Sequence, residues 1–324
     1  MEKSVLLGFV GDVMLGRTVN DTINVYGYRY PWGNVLPLLQ EHDFTLINLE
    51  TTLTNSDAII PKVFNFKATP DKVKSLQEAK IHAVTLANNH ILDFSEKGLI
   101  ETIETLKKAG IHAIGAGRNA REAQEPLMIQ FEELTLGVLA YTDNEPTWVA
   151  QEEKAGSNYI NITTGDYTRV KKDIEALRSK VECLIVTLHW GPNNQETPTR
   201  AFQDFAHTLI DLGVDIIHGH SAHITQGIEI YRKKLILYDT GDFVDDYHVD
   251  PRLRNDHSFI FRVEVTKTGI QKVKLIPVLI SNCQVNLAPC KDYTHMAARM
   301  QSLSTQFGTA LFENNKHLQV ELNE

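Results

Sequence analysis

Cysteine is scarce in this sequence of 324 residues, which contains only Cys183, Cys283 and Cys290 and no CxxC pair. An odd number of widely spaced cysteines indicates neither a disulfide framework nor a thiolate metal site, and it favours a reducing compartment. Long apolar runs are lacking too, since no stretch approaches the roughly 20 residues that a membrane-spanning helix requires. We therefore predict a cytoplasmic protein without stable membrane insertion.

The opening segment, MEKSVLLGFVGD, carries a lysine and an apolar run in the manner of an export signal. The run is short, however, and it passes directly into GDVMLGR without the small-residue site at which signal peptides are cleaved. We interpret this segment as the first strand of the fold.

An excess of positive charge is also missing, because 32 lysines and arginines face 41 acidic residues and the net charge is −9. Nucleic-acid binding depends on clustered lysine and arginine that neutralise phosphates, so this balance argues against a nucleic-acid partner. A small anionic substrate stays compatible with it. The composition, 42% hydrophobic and 23% charged, is typical of a soluble globular protein with a sizeable core.

The sequence does contain a regular alternation of short apolar runs with helical patterns. Helical periodicity is clearest at 97–110 and 202–213, and strands are predicted at 4–12, 44–50, 82–90, 134–144, 181–190 and 214–220. This order predicts an α/β fold with helices packed on the faces of a sheet. Strand-rich sequence follows from 227, with a hairpin turn at 267–269. We assign 1–280 to one domain and 281–324 to a C-terminal helical tail packed on it.

Polar side chains collect where the predicted strands end. Ligands of open α/β sheets bind at the carboxyl ends of the strands, so these side chains are candidates for one site. Each alone has an ordinary structural explanation, as a cap, a solvated strand end or a packed histidine. Together they offer the mixed oxygen and nitrogen ligands that suit divalent Mn, Zn or Fe. The predicted metal ligands are Asp12, Glu50, Asn89, His189, His220 and His223, with Asn48 as an alternative to Glu50.

Three further residues are candidates for chemistry beside that metal. His90 directly follows Asn89, and it would be placed to protonate a leaving group or to neutralise developing charge. Asp93 would orient one of these two side chains, because side chains around a metal usually need such support. Arg17, in the loop after Asp12, is a candidate for holding an anionic group of the substrate. The alternative is an ordinary surface arginine.

A series of motifs in this chain resembles the CapA-type poly-γ-glutamate capsule synthesis proteins, which are themselves similar to calcineurin-like metallophosphatases. The motifs are GDVMLGR at 11–17, INLETTLT at 47–54, TLANNHILDFSEKGL at 85–99, LHWG at 188–191, GHSAH at 219–223 and LILYDTGDF at 235–243. The resemblance implies a four-layer α/β/β/α sandwich with a metal site at the loop ends. It also implies that Asp12, Asn89 and His189 are ligands and that His90 is a catalytic acid.

The chain departs from the pattern of these families at several positions. The metallophosphatase motif Asp-x-His becomes Asp12-Val13-Met14, so one expected ligand is missing, and Glu50 stands where a bridging aspartate is expected. The CapA-type stretch Gly-x-His-Pro-His becomes GHSAH, and Gly-Asn-Phe becomes GDF, which adds Asp242 near the cleft. Both a mononuclear and a dinuclear site stay open.

Two functions follow from these observations. The first is a divalent-metal-dependent hydrolase that cleaves a phosphoester or an amide bond in a glutamyl polymer. The second is a non-catalytic accessory protein that binds poly-γ-glutamate or an assembly partner through the same cleft, and the missing Asp-x-His ligand favours it. The acidity of the chain disfavours it, because an acidic polymer is repelled unless metal ions or a basic cleft bridge the charges.

Overall fold

The computed structural model describes residues 3–132 and 134–322. The helices are α1 Arg17–Tyr26, α2 Leu36–Gln40, α3 Val73–Glu78, α4 Ser95–Lys108, α5 Ala120–Ala123, α6 Thr168–Arg178, α7 Arg200–Asp211 and α8 Cys290–Thr305, with short 3-10 helices at Tyr30–Val35, Pro70–Lys72 and Pro146–Trp148. The strands are β1 Val5–Val13, β2 Phe44–Leu49, β3 Thr52–Leu53, β4 Lys67–Ala68, β5 Ala83–Thr85, β6 His112–Ile114, β7 Ala116–Gly117, β8 Leu127–Gln130, β9 Thr135–Thr142, β10 Gly156–Ser157, β11 Cys183–His189, β12 Ile216–His220, β13 Ile228–Tyr231, β14 Lys234–Leu237, β15 Asp242–Val244, β16 His257–Thr266, β17 Gly269–Ser281, β18 Gln284–Leu287, β19 Leu311–Asn314 and β20 His317–Val320.

Most of these strands form two large sheets that face each other. The first sheet has the order β19-β20-β17-β16-β1-β2-β5-β6, with β15 beside β1 and β18 beside β17. The second sheet has the order β13-β14-β12-β11-β9-β8. Side chains from both sheets, among them Phe9 of β1 and Ile185 of β11, form one apolar core. The two sheets are therefore the inner layers of the fold.

Helices cover the outer face of each sheet. On the first sheet, Leu99 of α4 belongs to the same apolar cluster as Ile47 of β2. On the second sheet, Phe205 of α7 belongs to the same cluster as Val186 of β11. The predicted four-layer α/β/β/α sandwich is thereby confirmed.

The central strands are apolar on both sides because both of their faces are covered. In β1, Leu7 and Phe9 belong to the core between the sheets, whereas Val10 and Val13 belong to the core beneath the helices. Burial on both faces explains why the sequence shows continuous apolar runs instead of a strict alternation. Several polar side chains stand at the carboxyl ends of these strands, among them Asp12, Asn48 and His189, and they gather at one edge of the sandwich.

The two helices with the clearest periodicity are present as predicted. α4 is followed by Gly110, whose φ of 76° is the left-handed conformation in which helices commonly end. α7 buries Phe202, Phe205 and Leu209 on one face. Among residues 3–132 and 134–322, no helix combines the length and the apolar character needed to cross a bilayer.

The C-terminal part of the chain differs from the expected helical tail. The predicted hairpin is present, because β16 and β17 pair antiparallel with Thr266 opposite Gly269. Beyond it, the described residues 282–322 contain α8 but also three short strands, and both β18 and β20 pair with β17. The tail is thus not helical throughout, because β17 offers an edge for pairing and β20 buries Leu318 and Val320 in alternation. The domain boundary at residue 280 stays a prediction.

Candidate metal centre

Strand register brings the polar side chains of the first sheet into a row. Across the adjacent parallel strands β15, β1 and β2, Asp12 is the register partner of Asp242 on one side and of Asn48 on the other. In the second sheet, His189 of β11 is the register partner of His220 of β12. Apart from Asp242, which begins β15, these residues lie at the carboxyl ends of parallel strands, which is where α/β folds bind ligands.

Direct contacts join the two rows. Nδ2 of Asn48 donates to Oδ1 of Asp12 at 2.7 Å and lies 3.3 Å from Nδ1 of His189. Nδ1 of His189 lies 2.9 Å from Nδ1 of His220, which is itself 3.6 Å from Oδ1 of Asp12. One ligand atom each from Asp12, His189 and His220 therefore falls within 4.8 Å of the other two.

A second group of potential ligands shares Asp12 with the first. One ligand atom each from Asp12, Glu50 and His223 also lies within 4.8 Å of the others. Nδ1 of His223 is 3.4 Å from Oδ2 of Asp12. His223 has a φ of 60°, a left-handed conformation that non-glycine residues adopt mainly where the surrounding structure enforces it. The geometry thus offers two adjacent cation positions with Asp12 between them.

Several buried polar atoms at this edge have no hydrogen-bond partner. Such atoms are rare in folded proteins, because a buried polar group without a partner loses the hydrogen bonds it made to water. A divalent ion would satisfy them, and their mixture of oxygen and nitrogen suits a borderline or hard metal. They are Oδ2 of Asp12, both carboxyl oxygens of Glu50, Oδ1 of Asn89, Nε2 of His189 and Oδ2 of Asp242.

The carboxyl groups of the site lack enough positive charge around them. Burial raises the pKa of Asp12 well above its usual range, and His223 offsets only part of this effect. Burial and the nearby Asp12 likewise raise the pKa of Glu50. Burial alone would lower the pKa of His223, but the carboxylates of Glu50 and Asp12 outweigh it and raise that pKa. A bound cation would supply the missing counter-charge.

The imidazoles of the second sheet are prepared to act as neutral ligands. Burial holds the pKa of His189 and that of His220 well below the usual range, so both rings are neutral at pH 7. Neutral imidazole is the form that binds metals. His218 differs, because its ring nitrogens lie 3.2 Å from Oγ1 of Thr187 and 2.9 Å from the carbonyl oxygen of Val10. We assign His218 a structural role.

Contacts with Asp93 and Phe66 hold His90 beside the two groups of potential metal ligands. Its Nδ1 lies 2.6 Å from Oδ2 of Asp93, its ring stacks on Phe66 at 4.0 Å, and its Nε2 lies 3.8 Å from Oε1 of Glu50. Nζ of Lys62 lies 3.2 Å from the other oxygen of Asp93. Burial lowers the pKa of His90, although Asp93 opposes this shift.

A cavity of about 630 Å³ opens over this edge. Arg17 and Lys62 are on its wall, and Phe64 is an exposed apolar side chain at 60% of its full accessibility. The guanidinium of Arg17 lies 3.2 Å from Oδ1 of Asp246 and 5.7 Å from the centre of the Phe66 ring. The cavity is completed by Val63, Phe66, Asn89, His90, Glu145, Asn193, His223, Tyr247 and His248.

The site predicted from the sequence is therefore assembled in one place. The structure brings together the predicted ligands Asp12, Glu50, Asn89, His189, His220 and His223, and it places Arg17, His90 and Asp93 beside them. The roles assigned to these residues stay predictions. Lys62 was missed, since it lies in a loop away from every strand-end motif and no sequence signal marks it.

Comparison with known proteins identifies the family of the chain. Residues 6–247 match the family described as "Bacterial capsule synthesis protein PGA_cap". A protein of Mycobacterium tuberculosis strain H37Rv, named "Probable polyglutamine synthesis accessory protein", is 32% identical over 314 residues, covering 92% of this chain and 83% of that protein. The "Capsule biosynthesis protein CapA" of Bacillus anthracis is 25% identical over 326 residues, covering 99% of this chain and 78% of that protein.

A solved structure shares the fold at low sequence identity. The crystal structure of a phosphatase from Mycoplasma pneumoniae matches with a TM-score of 0.53 at 15% identity, covering 86% of this chain and 95% of that chain. This likeness shows a shared fold and no more, since one fold can serve many functions. The resemblance to CapA-type proteins is confirmed, and the chain belongs to the bacterial capsule synthesis protein family PGA_cap.

Proposed function

We propose that the chain is a divalent-metal-dependent hydrolase of the metallophosphatase type that acts in poly-γ-glutamate metabolism. The observation that carries this proposal is the concentration of buried, unpartnered ligand atoms from both sheets around Asp12. A purely structural polar cluster would pair these atoms with each other, because unpaired buried groups are costly. The metal would be Mn, Zn or Fe, which accept mixed oxygen and nitrogen ligands.

Two groups of residues would hold the metal. Asp12 would belong to both, with Glu50 and His223 in one and with His189 and His220 in the other. Divalent ions in such surroundings stabilise negative charge on a substrate oxygen and lower the pKa of water, so that hydroxide is available near neutral pH.

The polar side chains around Asp12 would have different roles. Asn89 would add an oxygen ligand, because its Oδ1 is buried without a partner. Glu50, not Asn48, would be the ligand after β2, because both carboxyl oxygens of Glu50 are free. Asn48 is already occupied, since its Nδ2 donates to Asp12 and its Oδ1 accepts from Asn88 at 2.9 Å. Asn48 would therefore position Asp12.

His90 would transfer the proton during hydrolysis. The contact of Nδ1 with Asp93 leaves Nε2 available on the side of Glu50 and the cavity. An anionic substrate would raise the pKa of His90 and favour the protonated ring. Nε2 would then give its proton to the leaving oxygen or nitrogen as its bond to phosphorus or to the carbonyl carbon breaks.

The substrate would be a small anionic molecule or a glutamyl polymer, with a phosphoester as the first bond to test and a γ-glutamyl amide as the second. Arg17 on the cavity wall would hold an anionic group of that substrate. The connection with poly-γ-glutamate rests on the printed names of the family and of the relatives described above.

The second candidate is a non-catalytic accessory protein that binds poly-γ-glutamate or an assembly partner through the same cleft. Met14 favours it, because this buried methionine stands where the metallophosphatase motif has a ligand histidine, and its sulfur accepts from the amide of Gly16 at 3.1 Å. The word "accessory" in the name of the Mycobacterium tuberculosis relative also favours it.

One set of measurements separates the two candidates. The protein is purified without added metal, its metal content is measured by elemental analysis, and turnover of generic phosphoesters and of γ-glutamyl peptides is followed with Mn²⁺, Zn²⁺ or Fe²⁺. The hydrolase predicts metal-dependent turnover that Asp12→Ala and His90→Ala abolish. The accessory protein predicts no turnover and polymer binding that survives both chelation and replacement of Asp12 and His189 by alanine.

A further inference from the structure

Asp242, which the proposed ligand groups leave out, lies directly beside Asp12. It is the first residue of β15 and the register partner of Asp12 in β1. Register partners on adjacent strands project from the same face of a sheet. Asp242 is 0% exposed and Asp12 is 1% exposed. The fold thus holds two buried carboxyl groups side by side.

A single nitrogen of His223 faces both of these carboxyl groups. Its Nδ1 lies 2.9 Å from Oδ1 of Asp242 and 3.4 Å from Oδ2 of Asp12. A carboxylate that only orients a metal-binding histidine contacts the ring nitrogen that faces away from the metal. Here the same nitrogen meets both carboxyl groups. Asp242 therefore lies on the same side of the ring as Asp12, the carboxylate common to both proposed ligand groups.

The remaining carboxyl oxygens also lack partners. Oδ2 of Asp242 and Oδ2 of Asp12 are buried without a hydrogen bond, as are both oxygens of Glu50. Burying a carboxyl group is costly unless a positive charge or a hydrogen-bond donor meets it. A cation among these three side chains would offset that cost for all of them at once.

We propose that Asp242 is a further ligand of the group formed by Asp12, Glu50 and His223, and that it makes this group selective for a hard divalent ion such as Mn²⁺. The proposal rests on the metal binding proposed above. Three carboxylates and one imidazole form an oxygen-rich set of ligands. Oxygen-rich sets suit Mn²⁺ more than Zn²⁺.

The neighbouring group has the opposite character. Asp12, His189 and His220 offer one carboxylate and two imidazoles, and such a set suits Zn²⁺ or Fe²⁺. The two cation positions would therefore differ in chemical preference although they share Asp12. The protein would bind two different metals side by side.

The experiment uses the full chain, stripped of metal with a chelator and then titrated with Mn²⁺ in the presence of one equivalent of Zn²⁺. Free Mn²⁺ is followed by electron paramagnetic resonance, and bound zinc is measured by elemental analysis. Asp242→Asn and Asp242→Ala should both bind Mn²⁺ more weakly than the wild type by more than the roughly 10–100-fold that loss of a residue supporting a ligand costs. Zinc content should be unchanged in both variants. Glu175→Gln, which removes an exposed acid of α6 paired with Lys171, is the control and should bind Mn²⁺ like the wild type.

A second readout needs only the wild-type protein and so does not depend on whether a variant folds. Electron spin echo envelope modulation of bound Mn²⁺ detects the nitrogens that contact the metal directly. The proposal predicts a single imidazole nitrogen, from His223. Two imidazole nitrogens would place Mn²⁺ in the histidine-rich group and would overturn the proposal.

The titration distinguishes failure of this inference from failure of the proposed function. If the wild type binds neither Mn²⁺ nor Zn²⁺, the metal-dependent function and the inference are both wrong. If the wild type binds Mn²⁺ and the two Asp242 variants bind it equally well, or lose no more than the roughly 10–100-fold typical of a supporting residue, only the inference is wrong.

Discussion

Nδ1 of His189 lies 2.9 Å from Nδ1 of His220 on the neighbouring strand. Two neutral imidazoles at this distance share one proton, with one nitrogen as the donor and the other as the acceptor. Oδ1 of Asp12, from the opposite sheet, is 3.6 Å from the same nitrogen of His220. The contact between the two histidines therefore lies where the two sheets meet, and it leaves Nε2 of His189 without a partner.

Metal binding should stabilise the folded protein, because the unfolded chain does not hold these ligands together. At a free ion concentration of about 100 times the Kd, the free energy of unfolding should rise by about 2.7 kcal/mol. Excess chelator should reverse the gain. Asp12→Ala should remove it entirely, since Asp12 belongs to both ligand groups. Thermal or urea unfolding with and without Mn²⁺ or Zn²⁺ measures the effect. Glu175→Gln, an exposed acid paired with Lys171, is the control. Equal stabilisation of wild type and Asp12→Ala would contradict the assignment.

Replacement of His90 should remove proton transfer without removing the metal. We expect His90→Asn to lower kcat by about 10²–10⁴-fold, the usual contribution of a general acid. Its metal content should match that of the wild type, because none of the proposed ligands is altered. His112→Asn, at an exposed position on β6, is the matched control and should keep full activity. Loss of metal from His90→Asn would show instead that His90 supports the ligands.

Asp93 and Lys62 should move the pH profile of turnover in opposite directions. The hydrogen bond and negative charge of Asp93 raise the pKa of His90 against the effect of burial, whereas the charge of Lys62 lowers it. Asp93→Asn should therefore shift the limb that reports His90 to lower pH, and Lys62→Gln should shift it to higher pH. The measurement is kcat/KM against pH for the wild type and both variants. If both variants shift the pH profile in the same direction, or neither shifts it, the limb does not report the ionisation of His90.

His42 should make the folded state sensitive to acid. Its ring packs against Gly8 of β1, and burial first, then the charge of Arg262, lower its pKa from 6.5 to about 4. A lowered pKa means that the unfolded chain takes up a proton before the folded one does. The contribution of His42 to the free energy of unfolding is thus fully present above pH 6.5. It decreases by about 3 kcal/mol in total as the pH falls toward 4.

The test of this effect compares denaturant unfolding of the wild type and of His42→Asn at several pH values. The difference in unfolding free energy between the two proteins should shrink from pH 7 to pH 4.5. His112→Asn serves again as the exposed control. A difference that stays constant with pH would rule out His42 as the source of the acid sensitivity.

The sequence predicted the position of this site better than the roles within it. Asp12 and His189 end apolar runs, and the rule that parallel strands end at one edge was enough to bring them together. Asn48 and Glu50 could not be separated, because residues two apart on a strand point to the same side. The contacts of Asn48 with Asp12 and Asn88, and the unpartnered oxygens of Glu50, distinguish them.

Other features depend on tertiary contacts that leave no periodic signal. Lys62 approaches Asp93 from an irregular loop, so neither helical nor strand spacing indicates it. The short strands after residue 281 were missed because each covers only four residues of a polar segment. β18 forms a tight hairpin with β17, whereas β20 pairs with the distant β17 and β19 pairs with β20. Alternating burial is clear only in β20.

The return of the chain from the second sheet to β15 has a consequence for biosynthesis. A nascent chain that has left the ribosome as far as residue 200 carries Asp12, Glu50, Asn89 and His189, yet it lacks His220, His223 and Asp242. Asp242 reaches the site only when β15 pairs with β1. A partly synthesised chain would therefore lack several of the proposed ligands. It would bind the metal only after these later strands have folded into place.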